Sequence, residues 1–85
     1  SIPTVVSYLQ NAESCFKNAV PYFKNIGGDV SQLYSEIQKL NNQVNLLNNL
    51  QNRMDNLQNL MNQINTQYTT PQSAESLTSN LMNLS

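Results

Sequence analysis

From Asp29 to Tyr68 the apolar residues recur at alternating steps of three and four: Val30, Leu33, Ile37, Leu40, Val44 and Leu47, then Leu50, Met54, Leu57, Met61, Ile64 and Tyr68. On an α-helix this spacing draws one narrow apolar stripe, which only another helix can remove from water, so the segment predicts a coiled coil or a helical bundle. In the first half Val30, Ile37 and Val44 alternate with Leu33, Leu40 and Leu47, a pairing of β-branched residues with leucine that favours parallel two-stranded packing. Leu47 and Leu50 lie three apart with no intervening four, which reads as a stammer that locally overwinds the supercoil. Beyond it Leu46, Leu57 and Leu60 broaden the stripe, which implies more than one neighbour. Leu46 and Leu60 are therefore the candidate assembly surface, and the twelve stripe residues are the candidate packing seam.

The same period runs through Val5, Leu9, Ala12, Phe16, Ala19, Phe23 and Ile26 and predicts an N-terminal helix over about 3–25. Pro3 suits its first turn, and Pro21 should kink or interrupt it. Gly27, Gly28 and Asp29 then form the strongest break, with left-handed glycines ending one helix and Asp29 capping the next. Two outcomes stay open there, a tight αα-hairpin or one long bent helix, because the apolar phase passes from Ile26 to Val30 unbroken. Thr70 and Pro71 read as cap and first residue of a short helix over 71–84 that carries Ala74, Leu77, Leu81 and Leu84. The predicted fold is all-α, a single domain over 1–85 built as a heptad-based helical hairpin or coiled-coil bundle. One long central helix spans about 30–68, and the shorter flanking helices fold back along its two ends.

Eighty-five residues enclose only a small core, so self-association is expected. Charged residues supply 11% of the chain against roughly 25% in an average soluble protein. Amides carry the polarity instead, Asn and Gln making up more than a quarter of the sequence. A net charge of −1 offers no basic footprint for nucleic acid or anionic lipid, and no apolar run approaches the roughly 20 residues of a membrane span. With no His, no paired carboxylates and no Gly-rich phosphate loop, the sequence predicts no catalytic, cofactor or metal site and no enzyme. Cys15, the sole cysteine, excludes an intrachain disulfide and reads first as a small packed hydrophobe, with an exposed or interchain-reactive thiol as the alternative.

Ten asparagines between Asn41 and Asn65 lie outside the stripe, and at about 0.6 kcal/mol each relative to Ala they cost the isolated helix about 6 kcal/mol. Such a helix is stable only when packed. Positions flanking the stripe, among them Asn41, Gln43, Gln51, Gln58, Asn65 and Gln67, are neutral where many coiled coils place Glu and Lys, so ionic pairs do not choose the partner. Identical partners are the simplest solution. The sequence thus predicts a structural, self-assembling helical subunit of a virion coat, a filament or another extracellular assembly. The alternative is an oligomerisation or scaffold module whose heptads recruit a heterologous helix within a larger complex.

Overall fold

A computed structural model describes residues 1–67 and 71–84, with residues 71–74 in backbone alone. Ser1 opens the first helix, α1 (Ile2–Asn25), by accepting the Thr4 amide on its Oγ at 3.4 Å, and Pro3 falls in the first turn, where a missing donor costs nothing. The helix continues through Pro21 to Asn25 instead of breaking there. Pro21 is exposed and lies in the last turns, so little helix remains beyond the bond it removes, and Val20 and Phe23 on the inward side hold the turn in place.

The chain then reverses. The Gly28 amide donates to the Phe23 carbonyl at 2.9 Å and the Gly27 amide to Lys24 at 3.1 Å, the paired 6→1 and 5→2 bonds of a Schellman cap. Only Gly27 is left-handed, with φ 76°. Gly28 is needed for a different reason: a Cβ there would stand 2.6 Å from the Phe23 ring. Asp29 caps the long helix α2 (Val30–Gln67) as its sequence position predicts, accepting the Ser31 and Gln32 amides on Oδ1 at 3.1 and 3.4 Å. Of the two outcomes open at the glycines, the hairpin is the one formed.

A third helix, α3 (Pro71–Leu84), packs on the far half of α2, while α1 and α3 do not touch enough to form a layer of their own. Their 24 and 14 residues together equal the 38 of α2, so the two short helices tile the long one end to end. Where they meet, Ile2, Val6, Val44 and Met54 form the core cluster, with Leu9, Leu47 and Leu81 against it. Both short helices run in the same direction, so the carbonyl end of α3 faces the amide end of α1 and their dipoles align head to tail. The result is a plank measuring 65 × 15 × 12 Å, two helices wide and one helix thick.

Two expectations about register change. Inward positions on α2 follow 30, 33, 37, 40, 44, 47, 51, 54, 58 and 61, an unbroken heptad with no stammer. Gln51 and Gln58 occupy the seam, and the expected seam residues Leu50, Leu57 and Ile64 stay 42%, 52% and 46% exposed. The backbone cause is that Met54 and Met61 serve either stripe, so the helix keeps its phase and avoids the overwinding that a switch to Leu50 would require. On α1 the inward residues are Ile2, Val6, Leu9, Glu13, Phe16, Val20 and Phe23, one position away from the predicted Val5, Ala12, Ala19 and Ile26 for half the series. Tyr68 and Thr70 lie outside the described residues, as does the side chain of Ala74.

Candidate assembly surface

In heptad notation, α2 places Val30, Ile37, Val44, Gln51 and Gln58 at a and Leu33, Leu40, Leu47, Met54 and Met61 at d. Ile37, Val44 and Met54 are buried, and the other apolar members are half-buried. Facing them, α1 places Ile2, Leu9, Phe16 and Phe23 at d and Val6, Glu13 and Val20 at a. When two helices pack antiparallel, the g flank beyond d on one adjoins the g flank of the other, and e adjoins e. A groove lined by Asn62, Glu75 and Met82 marks the e side, since all three are e positions of α2 and α3. Near the turn, Phe23, Gln32, Leu33 and Glu36 line a groove on the opposite, g side.

These two sides differ in chemistry. Position g lies about 50–60° round the helix from d, and c about 100°. On α2 the g and c positions of the second half are Leu46, Leu50, Leu57, Leu60 and Ile64, all exposed, with Arg53 between them. On α1 they are Val5, Tyr8, Ala12, Cys15, Ala19, Tyr22 and Ile26, again at steps of three and four; Tyr8, Tyr22 and Ile26 are 71–81% exposed. On α3 they include Leu77 and Leu84. One broad side of the plank therefore carries a second, unfilled apolar stripe along α1 and along the second half of α2, with Leu77 and Leu84 beside the latter, while the first half of α2 places Gln32, Glu36, Lys39 and Gln43 there.

The opposite side is dominated by amides and hydroxyls, Ser7, Asn11, Ser14 and Asn18 on α1 and Asn42, Asn45, Asn49, Asn52, Asn56 and Asn59 on α2, with Lys17, Lys24 and the exposed Tyr34 and Met82 set among them. Side-chain amides bond along the helix, Gln38 Nε2 to Asn42 Oδ1 and Gln58 Nε2 to Asn62 Oδ1, each at 3.0 Å. Gln51 Nε2 likewise donates to Asp55 Oδ1 at 3.0 Å. The carbonyl oxygens Gln51 Oε1 and Gln58 Oε1 are left buried with no donor. Two ion pairs, Lys17 with Glu13 and Lys39 with Glu36, each at 3.1 Å, are local to one helix. Exposed pairs of this kind hold little energy.

Leu46 and Leu60, expected as assembly surface, are 68% and 53% exposed and belong to the apolar side. Sequence reasoning found these two but assigned Leu50, Leu57 and Ile64 to the fold seam, and it missed the second stripe of α1. The signal was present in the spacing of Val5, Tyr8, Ala12, Cys15, Ala19, Tyr22 and Ile26, obscured because Leu9, Phe16 and Phe23 one position on are the larger residues. Cys15 is exposed on that stripe, not packed within the chain.

Among the described residues, Asp29 is the one side chain whose acidity is clearly altered: hydrogen bonds from the Ser31 hydroxyl, and then from the Gln32 amide, hold its carboxyl below the ordinary 3.8. This is cap chemistry, on an exposed loop. Among the described residues no group of three or more His, Cys, Asp or Glu side chains comes together, and no helix is long and apolar enough to cross a membrane. No protein-family model, curated protein or solved structure matches the chain.

Proposed function

We propose that the chain is a structural, self-assembling helical subunit, a building block of a larger coat, filament or comparable assembly. The observation that carries this reading is the unfilled heptad stripe of α2, Leu46 to Ile64, on the half of α2 that α3 covers, continued toward the turn by the equally unfilled stripe of α1. A heptad stripe is specific to helical partners, because knobs spaced at three and four fit only holes of the same period. Surface area supports it as well. The chain exposes 6404 Å², whereas a compact protein of its mass exposes roughly 5,100 Å². No described side chain is buried to below 2% exposure. A subunit that completes its core only by association has these properties.

The amide surface fits the same role. Asn and Gln do not titrate, lose little to salt, and bond to one another once water is excluded, which suits repeated lateral contacts. A second reading, recruitment of one heterologous helix, draws on the length of the α2 stripe, whose 19 positions would span about 28 Å. Sedimentation velocity with negative-stain electron microscopy of the purified chain separates the two. Concentration-dependent growth to shells or filaments is the expected result, and a monodisperse monomer that associates only when a foreign helix is added would replace it with the second reading.

A further inference from the structure

We infer that the apolar side of the plank is covered by a second copy of this chain, placed face to face about a two-fold axis, so that both amide sides point outward. The inference rests on the self-assembly reading and names its first contact. Three observations select this occupant.

The first is area. Extents of 65 and 15 Å between Cα atoms give the broad side a projected area of about 1,000 Å², which exceeds the roughly 800 Å² per partner of a standard stable interface. The second is shape. A single foreign helix would fill one stripe and leave the other wet, but a second plank presents two stripes of the same period and length. Bulky residues crowd the α2 stripe, while the middle of the α1 stripe is small, with Ala12, Cys15 and Ala19, so ridge and trough are both available on every copy. The third is charge. Among the described c and g positions of α1 and α2, only Glu36, Lys39 and Arg53 are charged, and Glu36 and Lys39 already pair with each other. An anionic membrane would need a basic face, and an acidic or basic protein partner would need a field of one sign. A neutral, self-complementary face suits an isologous contact.

Pairing in this way closes the apolar side and leaves the asparagine-rich side as the outer surface of a six-helix dimer, four helices in cross-section. Any growth beyond the dimer then runs through amides, not through leucines.

Cys15 reports on the contact directly, since it is the sole cysteine and stands on the stripe. The full chain would be titrated with iodoacetamide across a dilution series, beside Leu50→Gln/Leu57→Gln, the more peripheral Leu60→Gln, and Asn45→Asp/Asn52→Asp on the opposite side. Expected is a Cys15 reaction at least about tenfold slower in the concentrated parent than in the diluted one, because a thiol enclosed by apolar groups is inert. The leucine variants should react fast at every concentration with helicity retained, and the asparagine variant should behave as the parent. Should Leu50→Gln/Leu57→Gln lose helicity, Leu60→Gln and the dilution of the unaltered chain still give the answer. Fast Cys15 reaction in a chain that nevertheless forms large particles overturns this contact and leaves self-assembly standing, through the amide side. A monomer at all concentrations overturns both. Protection that appears only on adding vesicles of phosphatidylcholine and phosphatidylserine assigns the face to lipid and overturns the inference.

Discussion

Gly27 and Gly28 are adjacent and chemically identical, yet they serve the turn by different physics. Gly27 supplies a left-handed residue, and Gly28 supplies room for the Phe23 ring. Gly27→Ala should therefore cost about 1–2 kcal/mol whatever its surroundings, since the strain is in the backbone. Gly28→Ala should cost about 1–3 kcal/mol through overpacking. Urea unfolding of the single variants and of each in a Phe23→Ala background checks this. Removing the ring should relieve the Gly28→Ala penalty and leave that of Gly27→Ala intact, and equal relief of both would refute the distinction. Nothing in the sequence separates the two glycines, because the ring that tells them apart is placed only by the cap.

Asp29 gives the residue-scale pH dependence. Its carboxyl is held below the ordinary 3.8 by the Ser31 hydroxyl and the Gln32 amide. A lowered folded value means that the stabilisation is fully present above about 4 and is lost as pH falls through the lowered value. Between pH 8 and pH 4 helicity should barely change, and a modest weakening should appear only below that. Asp29→Asn, which keeps an acceptor but cannot titrate, should flatten the acid limb. Carboxyl chemical shifts followed by NMR, with Ser31→Ala returning Asp29 toward 3.8, test the cause.

At the scale of the element, α2 shows what a heptad pattern can and cannot convey. Its length, its start at Asp29 and its first half, Val30 to Leu47, were legible because there the apolar residues and the inward positions coincide. They part at Leu50, where the apolar residues step to the g flank and the inward positions continue into Gln51 and Gln58. Periodicity counts apolar residues and has no term for a backbone that holds its phase to stay against α1 and then α3, so it assigned the leucines to the fold. Leu40→Asp should accordingly unfold the subunit, while Leu57→Asp should leave its helicity intact and affect association alone, as circular dichroism beside light scattering would record. Loss of helicity in both would restore Leu57 to the fold seam.

Gln51 and Gln58 carry a related expectation. Each places a carbonyl oxygen in the seam without a donor, at a cost of about 1–3 kcal/mol. Gln51→Leu and Gln58→Leu should each raise the melting temperature of the chain, although each forfeits an amide bond to Asp55 or Asn62. A fall in melting temperature would mean that the seam has no room for the branched side chain.

Across the whole molecule the organising fact is that α1 and α3 together match α2 in length, so the fold finishes as a plank with two broad sides and only a thin core between the helices. Breaks at both ends of α2 were marked in the sequence by Gly27, Gly28 and Pro71, although at the glycines the apolar phase left a continuous rod open beside the hairpin that formed. Which broad side gathers the apolar residues was not, because that depends on how the flanks of three antiparallel helices line up, a property of no single helix. Once aligned, flanks that look like scattered exposed residues along the chain become one continuous surface. We propose that a second copy covers that surface.

Sedimentation equilibrium of the unaltered chain over a wide concentration range tests this most directly. Expected is a smallest stable species of twice 9.6 kDa, with larger species, where they form, as even multiples, and a shift to the single-chain mass for Leu50→Gln/Leu57→Gln. A stable species of one chain at every concentration, with its leucine side still in water, would contradict it.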